Sequence, residues 1–352
     1  MPIIKENVEM YMGPQEVGGP DDLRKTIVDF IDGATKRLYV AVQELDSVDI
    51  AKAIIRARQK KVLVKLVLEG NYLTVKKGVE TPFESMGEHE VNRQIHDAIL
   101  RSAVNVKSDY NPSIFHQKFI IRDGDALLTG STNFTDTGTS TNLNHIVIIH
   151  DKKVAKIYEK EFKEIQQGHF GKLNEGHDPA PDDTVVSEIP VRILFAPDHS
   201  PEMEIMKQML KAKKRIDFAI FTFAKSSGID DTMIALNNAG LKIRGAIDGK
   251  QANQKWAATH PIHQVGVELY RVPKQGGLRK LHHKLMVIDE QVVIVGSFNY
   301  TGPANRLNDE NIIILGDLES TNESSISKQK ELAVYALNEI DRIIDNFGRP
   351  IN

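Results

Sequence analysis

Six residue types recur at identical spacing in two parts of this 352-residue chain, 166 positions apart. The first copy consists of His116, Lys118, Asp123, Gly130, Ser131 and Asn133, and the second of His282, Lys284, Asp289, Gly296, Ser297 and Asn299. A histidine can act as nucleophile, acid or base near pH 7, and lysines and amides stabilise negative charge. The doubled pattern therefore indicates one site, built from two halves, that acts on an anionic group.

The spacing also predicts how each half positions these groups. Residues i and i+2 of a strand share a face, so His116 and Lys118 project together. A tight turn is expected at Asp123, followed by a second apolar strand that ends in Gly-Ser-x-Asn. The hairpin returns the serine and the asparagine to the side of the histidine and the lysine. The second copy has the same arrangement.

These residues resemble the HxK(x)4D(x)6GSxN motif of the phospholipase D superfamily, and both copies match it at every defining position. The resemblance extends to a strand–helix–strand unit that precedes each motif, so it covers most of the chain. It implies phosphodiester chemistry without specifying the substrate. One histidine would form a covalent phosphohistidine while the other protonates the leaving oxygen and then deprotonates water. We favour His116 as the nucleophile.

The remaining motif residues are assigned roles around the phosphate. Charge and hydrogen bonds to its nonbridging oxygens are expected from Lys118, Lys284, Asn133 and Asn299, with Ser131 and Ser297 as further hydroxyl donors. The two lysines do what a metal ion would do elsewhere, so neither a metal nor another cofactor is expected. Asp123 and Asp289 follow the strand and are expected to hold the turn or a lysine.

The two halves differ eleven residues after the motif asparagine. Glu310 stands there in the second half and Asn144 in the first. Superfamily members that resemble this chain carry an acidic residue at this position, which hydrogen-bonds a catalytic imidazole. A carboxylate partner would fix the tautomer of the ring and stabilise its cation. The sequence leaves open whether Glu310 serves His282 or reaches across to His116.

The wider pattern predicts an α/β fold, since apolar strands alternate with helical segments in both halves. We expect two similar lobes related by a pseudo-twofold axis, each a mostly parallel sheet flanked by helices. The first lobe is assigned to residues 1–167 and the second to 191–352, ending in a helix near 325–347. Residues 168–190 are rich in Gly, Pro and Asp and are expected to link the lobes.

Composition is that of an ordinary globular protein, with 41% hydrophobic and 26% charged residues and a net charge of −3. No apolar run approaches the roughly 20 residues that span a bilayer, so stable membrane insertion is not expected. The first residues lack an apolar signal-peptide core, and we expect a cytoplasmic protein. The absence of cysteine excludes disulfides and thiolate metal sites. The sequence does not indicate an oligomeric state.

Three functions fit the motifs. A nuclease acting on DNA or RNA is favoured, with Arg279 and Lys280, just before His282, gripping the polyanion. A phospholipase D or phosphatidyl transferase is the alternative. The candidate loops at 71–90 and 248–259 are polar, but the second contains Trp256, the only tryptophan of the chain. A catalytically weak binding or scaffold protein is the third possibility.

Several other polar residues are expected to lie outside the chemistry. Glu44 is interpreted as an exposed carboxylate at the rim, and His283, between two motif residues, as structural. His260 and His263 have the spacing of metal ligands but no carboxylate or cysteine companion nearby. The threonine-rich segment 135–141 is predicted to be a loop.

Overall fold

The structure is a computed structural model that describes residues 1–74, 87–174, 176 and 178–351. Most of the polar loop predicted at 71–90 therefore lies outside the described residues. The elements of the first half are β1 (Ile3–Lys5), β2 (Val8–Gly13), α1 (Leu23–Asp32), β3 (Arg37–Val42), α2 (Val48–Gln59), β4 (Leu63–Leu68), α3 (Glu90–Arg101), β5 (Asn105–Ser108), β6 (Lys118–Arg122), β7 (Ala126–Gly130), α4 (Asp136–Ser140), β8 (Asn142–Ile149) and α5 (Lys152–Gln167).

The second half repeats this series of elements. They are β9 (Thr184–Val186), β10 (Ile189–Ala196), α6 (Pro201–Leu210), β11 (Arg215–Ile220), α7 (Gly228–Asn238), β12 (Lys242–Asp248), α8 (Gly249–Ala252), α9 (Thr259–Gln264), β13 (Glu268–Val272), β14 (Lys280–Leu281), β15 (Lys284–Ile288), β16 (Val292–Gly296), α10 (Gly302–Arg306), β17 (Glu310–Leu315), α11 (Glu323–Phe347) and β18 (Arg349–Pro350). The helix expected near 325–347 is α11, which begins two residues earlier.

Both sheets have the same strand order, which confirms two similar lobes. The first runs β1-β2-β8-β7-β6-β3-β4-β5, and the second runs β9-β10-β17-β16-β15-β11-β12-β13 with β18 at its edge. The sheets are mixed, however, and not mostly parallel as expected. Among the strands that each lobe supplies to its own sheet, parallel pairing is confined to β3-β4-β5 and β11-β12-β13, where helices supply the crossovers. The motif hairpins are necessarily antiparallel.

The lobes share a central hydrophobic core. Side chains from the inner faces of both sheets pack with α5 and α11 in one cluster, while α1 and α2 cover the first sheet from outside and α6 and α7 cover the second. Tyr158 and Phe162 of α5 illustrate the packing, since both rings contact Phe119 of β6 edge-on. Burial of this apolar surface by both sheets fixes one lobe against the other.

Strand pairing also crosses between the lobes. β14, just before the second motif, pairs in parallel with the start of β8 in the first sheet. Phe115, the first-half equivalent of Leu281 in β14, forms a parallel bridge with Asp309 of the second lobe. Each motif is therefore anchored in the other lobe's sheet. None of the helices in the described ranges is long and apolar enough to cross a membrane.

Two local features differ from expectation or refine it. The threonine-rich segment after the first motif contains the short helix α4 and is not a loop, because the Thr135 hydroxyl accepts the Gly138 N–H over 2.8 Å and caps it. Within the segment 168–190, β9 pairs antiparallel with β10 and extends the second sheet. The division of the chain into lobes and linker stays a prediction.

Candidate active site

The backbone of each motif histidine is bound at or just before the start of a strand of the other lobe, β17 for His116 and β8 for His282. The backbone N–H of His116 donates to the carbonyl of Asp309 over 2.9 Å, and that of His282 donates to the carbonyl of Leu143 over 2.9 Å. Asp309 directly precedes β17, and Leu143 lies in β8. The two motifs therefore meet at the lobe interface, and neither half is complete without the other lobe.

The two imidazoles have different partners. Nδ1 of His116 lies 2.6 Å from Oε2 of Glu310, and Nδ1 of His282 lies 2.9 Å from Oδ1 of Asn144. The question that the sequence left open is thus answered, since Glu310 reaches across the interface to His116. Because an oxygen acceptor holds the hydrogen on each Nδ1, Nε2 of each neutral ring carries a lone pair.

Ser131 and Ser297 orient those partners, contrary to the expectation that they face the phosphate. The Ser131 hydroxyl donates to Oδ1 of Asn144 over 2.8 Å, and the Ser297 hydroxyl donates to Oε2 of Glu310 over 2.6 Å. Each serine oxygen also accepts a backbone N–H over 3.0 Å, and both side chains are fully buried. The serines position the groups that in turn position the imidazoles.

The two motif lysines are buried in unlike surroundings. Each ammonium donates to the carbonyl of its own motif histidine, over 2.7 Å for Lys118 and 2.8 Å for Lys284. Lys118 donates in addition to Oε1 of Gln43 over 3.1 Å, whereas Lys284 lies 5.3 Å from the ring centre of Phe221. Gln43 and Phe221 occupy equivalent positions, directly after β3 and β11. The two lysines therefore differ in surroundings because the two halves carry different residues at this one position.

Positive charge is in excess at the site. Burial, opposed by Glu310, lowers the pKa of Lys118 to about 7, and burial beside Lys118 lowers the pKa of Lys284 well below its usual range. Burial lowers the pKa of His116 to about 4. Burial, together with the nearby charges of Lys284 and Lys118, lowers the pKa of His282 well below its usual range. A bound anion would favour the protonated forms again.

The motif asparagines are half-buried beyond the ends of β7 and β16. Oδ1 of Asn299 accepts the backbone N–H of Thr222 over 3.2 Å, which leaves the amide N–H groups as donors. Oδ1 of Asn133 is buried without a hydrogen-bond partner among the described residues. The two amides are therefore placed alike but held differently.

Asp123 and Asp289 stand at the far ends of the motif strands, away from the histidines. The Asp123 carboxylate accepts backbone N–H groups from residues 35–37, just before and at the start of β3. The Asp289 carboxylate does the same for residues 213–215 at the start of β11. Both aspartates fasten a chain turn to the neighbouring strand and do not reach the imidazoles.

Comparison with known families agrees with this geometry. The model of the family described as “Cardiolipin synthase, PLD-like domain” matches residues 27–166 and 205–327, which contain both motifs. The chain belongs to the phospholipase D superfamily.

Two curated relatives within the superfamily match part of the chain. A protein named “Phospholipase D” from Rickettsia conorii is 33% identical over 141 residues, which cover 38% of this chain and 65% of the relative. “Mitochondrial cardiolipin hydrolase” from Chlamydomonas reinhardtii is 30% identical over 106 residues, which cover 30% of this chain and 46% of the relative. The chain thus spans less than two thirds of the length of either relative.

Solved structures share the phospholipase D fold over nearly the whole chain. Phosphatidylserine synthase from Haemophilus influenzae superposes with a TM-score of 0.69 at 13% identity, covering 100% of this chain and 89% of that one. Polyphosphate kinase from Porphyromonas gingivalis superposes with a TM-score of 0.63 at 10% identity, covering 98% of this chain and 48% of that one. At these identities the likeness concerns the fold alone.

The rim of the candidate active site carries charges of both signs. Arg279 and Lys280 are exposed, and the Lys280 ammonium lies 5.5 Å from the ring centre of Phe221. Their role in binding substrate stays a prediction. Glu44 is half-buried and not the exposed carboxylate that was expected. Burial, assisted by the nearby Asp46, raises the pKa of the Glu44 carboxyl to about 7.

Sequence reasoning missed two carboxylates that place the phospholipase D motifs. Oε2 of Glu69 accepts the N–H of Phe115 over 2.6 Å, and Oδ2 of Asp248 accepts the N–H of Leu281 over 3.2 Å. Phe115 and Leu281 each directly precede a motif histidine. The signal was present, because an acidic residue followed by glycine ends the equivalent segments LVKLVLEG and LKIRGAIDG.

A buried histidine pair links the active site to α11. Nε2 of His145 accepts the N–H of Gly296, Nδ1 of His145 lies 3.1 Å from Nδ1 of His283, and Nε2 of His283 lies 3.1 Å from Oε1 of Glu339. These contacts are all satisfied when both rings are neutral and each carries one hydrogen. His283 is thus structural, as expected, whereas the part played by His145 was missed.

One group of metal-type ligands occurs in the described part of the chain, away from the motifs. Asp178, Asp198 and His199 place ligand atoms within 4.8 Å of one another. Nδ1 of His199 accepts the N–H of Phe195 over 3.1 Å, so the ring hydrogen resides on Nε2, which points toward both carboxylates. A metal-bound histidine donates from its second nitrogen, so this group does not fit a metal ion. His260 and His263 do not belong to it.

Proposed function

We propose that this chain is a phosphodiesterase that hydrolyses a headgroup ester bond of a phospholipid through a phosphohistidine intermediate. The observation that carries the proposal is the meeting of two buried His–Lys pairs at the lobe interface, with a single carboxylate, Glu310, on one imidazole. Two ammonium groups and one carboxylate leave one positive charge before substrate binds, and this charge attracts a singly charged phosphodiester.

The first step joins His116 to phosphorus. Its Nε2 lone pair attacks while Glu310 holds the Nδ1 hydrogen, and the P–O bond to the leaving group breaks. The ring becomes cationic when the P–N bond forms, and the carboxylate at 2.6 Å stabilises that charge. Nε2 of His282, protonated on binding of the anion, gives its proton to the leaving oxygen.

The second step regenerates the enzyme. Neutral His282 takes a proton from water, the hydroxide oxygen attacks phosphorus, and the P–N bond to His116 breaks. Lys118 and Lys284 remain positively charged against the nonbridging oxygens, and the amides of Asn133 and Asn299 add donors. The proton taken from water restores the acid form of His282, so atoms and charges balance over the cycle.

Phospholipid replaces nucleic acid as the favoured substrate. The sequence favoured a nuclease because of its basic loop and its lack of targeting signals, and neither feature distinguishes nucleic acid from phospholipid. The description of the matched family names cardiolipin synthase, and the two relatives are named for phospholipid hydrolysis. A nuclease has no comparable support.

The decisive experiment offers the purified protein, in EDTA, vesicles of phosphatidylcholine and of cardiolipin alongside single- and double-stranded DNA and RNA. We expect lipid hydrolysis that is lost in His116→Ala, with nucleic acid intact. Cleavage of nucleic acid with lipid untouched would overturn the substrate assignment. Mass spectrometry after an alkaline quench should find the phosphoryl adduct on a peptide containing His116. An adduct on His282 would reverse the two roles.

A further inference from the structure

A loop that presents Trp256 is built into the second-lobe side of the active-site mouth. The side chain of Asp248, at the end of β12, accepts the N–H groups of Lys250 and Gln251 and so starts the short helix α8. The second carboxylate oxygen of Asp248 accepts the N–H of Leu281, the residue before the motif histidine. The loop is thus fastened to the segment that carries the imidazole.

A second set of hydrogen bonds fixes the loop to the end of β11. The N–H of Lys225 donates to the carbonyl of Trp256, and the N–H of Ala258 donates to the carbonyl of Phe223, each over 3.0 Å. Phe221, two residues before Phe223, has its ring 4.9 Å from the ring of His282. The loop is therefore held at two points beside the site, yet the Trp256 residue is left 44% exposed.

The chain segment that contains this tryptophan is basic. Residues 249–280 contain six lysines and arginines and a single acidic residue, Glu268, although the chain as a whole carries a net charge of −3. The corresponding segment of the first lobe, 70–114, contains five basic and six acidic residues. We call Trp256, together with the basic residues of the loop and of the segments that flank it, the tryptophan rim; these residues are Lys225, Lys250, Lys255, Arg271 and Lys274.

Two hydrogen bonds connect basic side chains of the tryptophan rim to the loop that carries Trp256. The ammonium of Lys225 donates to the carbonyl of Lys255 over 3.2 Å, and the guanidinium of Arg271 donates to the side chain of Asn253 over 3.0 Å. Neither bond neutralises charge, and no described carboxylate forms an ion pair with any of these five basic residues. The uncompensated charge therefore faces solvent around an exposed aromatic side chain.

This combination has the chemistry of a surface that binds anionic phospholipid. A single exposed aromatic residue is common and by itself indicates nothing. Tryptophan, however, favours the headgroup level of a bilayer, and each lysine close to an anionic leaflet adds attraction that strengthens binding about fivefold. Here both features flank the mouth of a site that would act on a lipid headgroup.

We propose that the tryptophan rim docks on the surface of a bilayer that contains anionic phospholipid and turns the active-site mouth toward the headgroups. The inference rests on the proposed lipid function and adds the surface through which substrate is reached. Trp256 would lie at the headgroup level, with lysines on either side against lipid phosphates.

The test uses the full chain with His116→Ala, so that lipid is bound but not consumed. Vesicles of phosphatidylcholine, with and without about 30% phosphatidylglycerol, are compared by co-sedimentation and by tryptophan emission. Since Trp256 is the only tryptophan, a blue shift reports this position alone. We expect binding and a blue shift with the anionic vesicles, and little of either with phosphatidylcholine.

Two variants of equal charge locate the surface. Lys250→Gln with Lys255→Gln should weaken binding to anionic vesicles about 25-fold, that is, about fivefold for each lysine. Lys213→Gln with Lys214→Gln removes the same charge at the opposite end of β11, roughly 20 Å from the rim, and should leave binding unchanged. Equal losses in both variants, or unchanged emission on binding, would overturn the proposal. A stronger response of Trp256 to single-stranded DNA than to anionic vesicles would overturn it as well.

Activity on a short-chain phosphatidylcholine kept below its micelle concentration separates this inference from the proposed function. Rim variants should hydrolyse this monomeric substrate at the rate of the unmodified chain while losing activity on anionic vesicles. Vesicle docking without any lipid hydrolysis by the unmodified chain would refute the proposed function and leave the docking surface standing. Hydrolysis of the monomer with no preference for anionic vesicles would support the proposed function and refute the docking surface.

Discussion

The two halves of the active site share a backbone and differ in charge. In the first half, His116 is paired with the carboxylate of Glu310. In the second half, the same ring atom of His282 meets the neutral amide of Asn144. Serines hold both partners in the same way. The two halves thus keep the same arrangement of strands and serines. The exchange of a carboxylate for an amide is what lets the ring of His116, but not that of His282, keep a positive charge.

This difference is the reason for assigning the two roles as we do. A nucleophilic histidine stays cationic for the lifetime of the phosphohistidine, whereas an acid returns to neutrality once the leaving group departs. The carboxylate belongs beside the ring that keeps the charge. His282, without a carboxylate and close to Lys284 and Lys118, holds a proton weakly, which makes its protonated form a strong acid.

The largest expected effect tests whether the halves form one site. His116→Ala and His282→Ala should each lower kcat by at least about 10³-fold, and the double variant should lose little more, because both rings serve one reaction. Steady-state kinetics with thermal melts would check this, and His260→Ala, at an exposed position, serves as the control. Half of the activity surviving in either single variant would mean two independent sites.

Removing the carboxylate makes the halves alike. Glu310→Gln gives His116 an amide partner, as His282 already has, and should lower kcat by roughly 10²- to 10⁴-fold, because the cationic intermediate loses its counter-charge. The phosphoryl adduct on His116, measured after a rapid quench, should form more slowly. An unchanged rate of adduct formation would show that the asymmetry has no catalytic meaning.

Adding a carboxylate makes the halves alike in the opposite sense. Asn144→Asp places an anion on His282 and raises its pKa, so the alkaline limb of kcat/KM should move up by roughly one pH unit, because the acid keeps its proton longer. Asn105→Asp, exposed at β5, adds the same charge elsewhere and should leave the profile in place. A folded Asn144→Asp variant with an unmoved limb would assign the acid to another group.

The duplication was predictable because its six positions survive in both copies, and with it came the two-lobed α/β fold and the meeting of the motifs. The sheet direction was misjudged, because alternating strands and helices suggest parallel crossovers while each motif is itself an antiparallel hairpin. Glu69 and Asp248 could have been found by aligning the halves.

Contacts across the lobe interface were beyond a single sequence. Glu310 reaches His116 because the start of β17 lies beside the first motif, and nothing in the spacing of one half indicates which ring lies opposite. The serines illustrate the same limit, since a hydroxyl near a phosphate site suggests a substrate contact until its bonds are known.

The smallest expected effect concerns a second asymmetry, in the core behind the motifs. Where the second motif has the buried rings of His283 and His145, the first has Gln117 and Asn311, whose amides hydrogen-bond over 2.6 Å. Burial lowers the pKa of His283. Burial, together with the neighbouring His283, holds the pKa of His145 well below its usual range. As pH falls below about 6.5, the unfolded chain gains protons that the folded chain refuses, so stability falls.

Replacing this pair with its counterpart should flatten that dependence. Because burial lowers the pKa of both rings in the fold, each should cost stability as the pH falls from 8 to 5, by at most roughly 2 kcal/mol. His145→Asn with His283→Gln, which installs the amide pair of the other half, should therefore lose less stability over this range in denaturant titrations. The variant must fold at pH 8, where the two chains should differ least. His260→Gln, at a surface position, should behave like the unmodified chain. A double variant as sensitive to acid as its parent would mean that the buried rings accept protons without disturbing the lobe interface, and that the pH dependence arises at the active-site histidines.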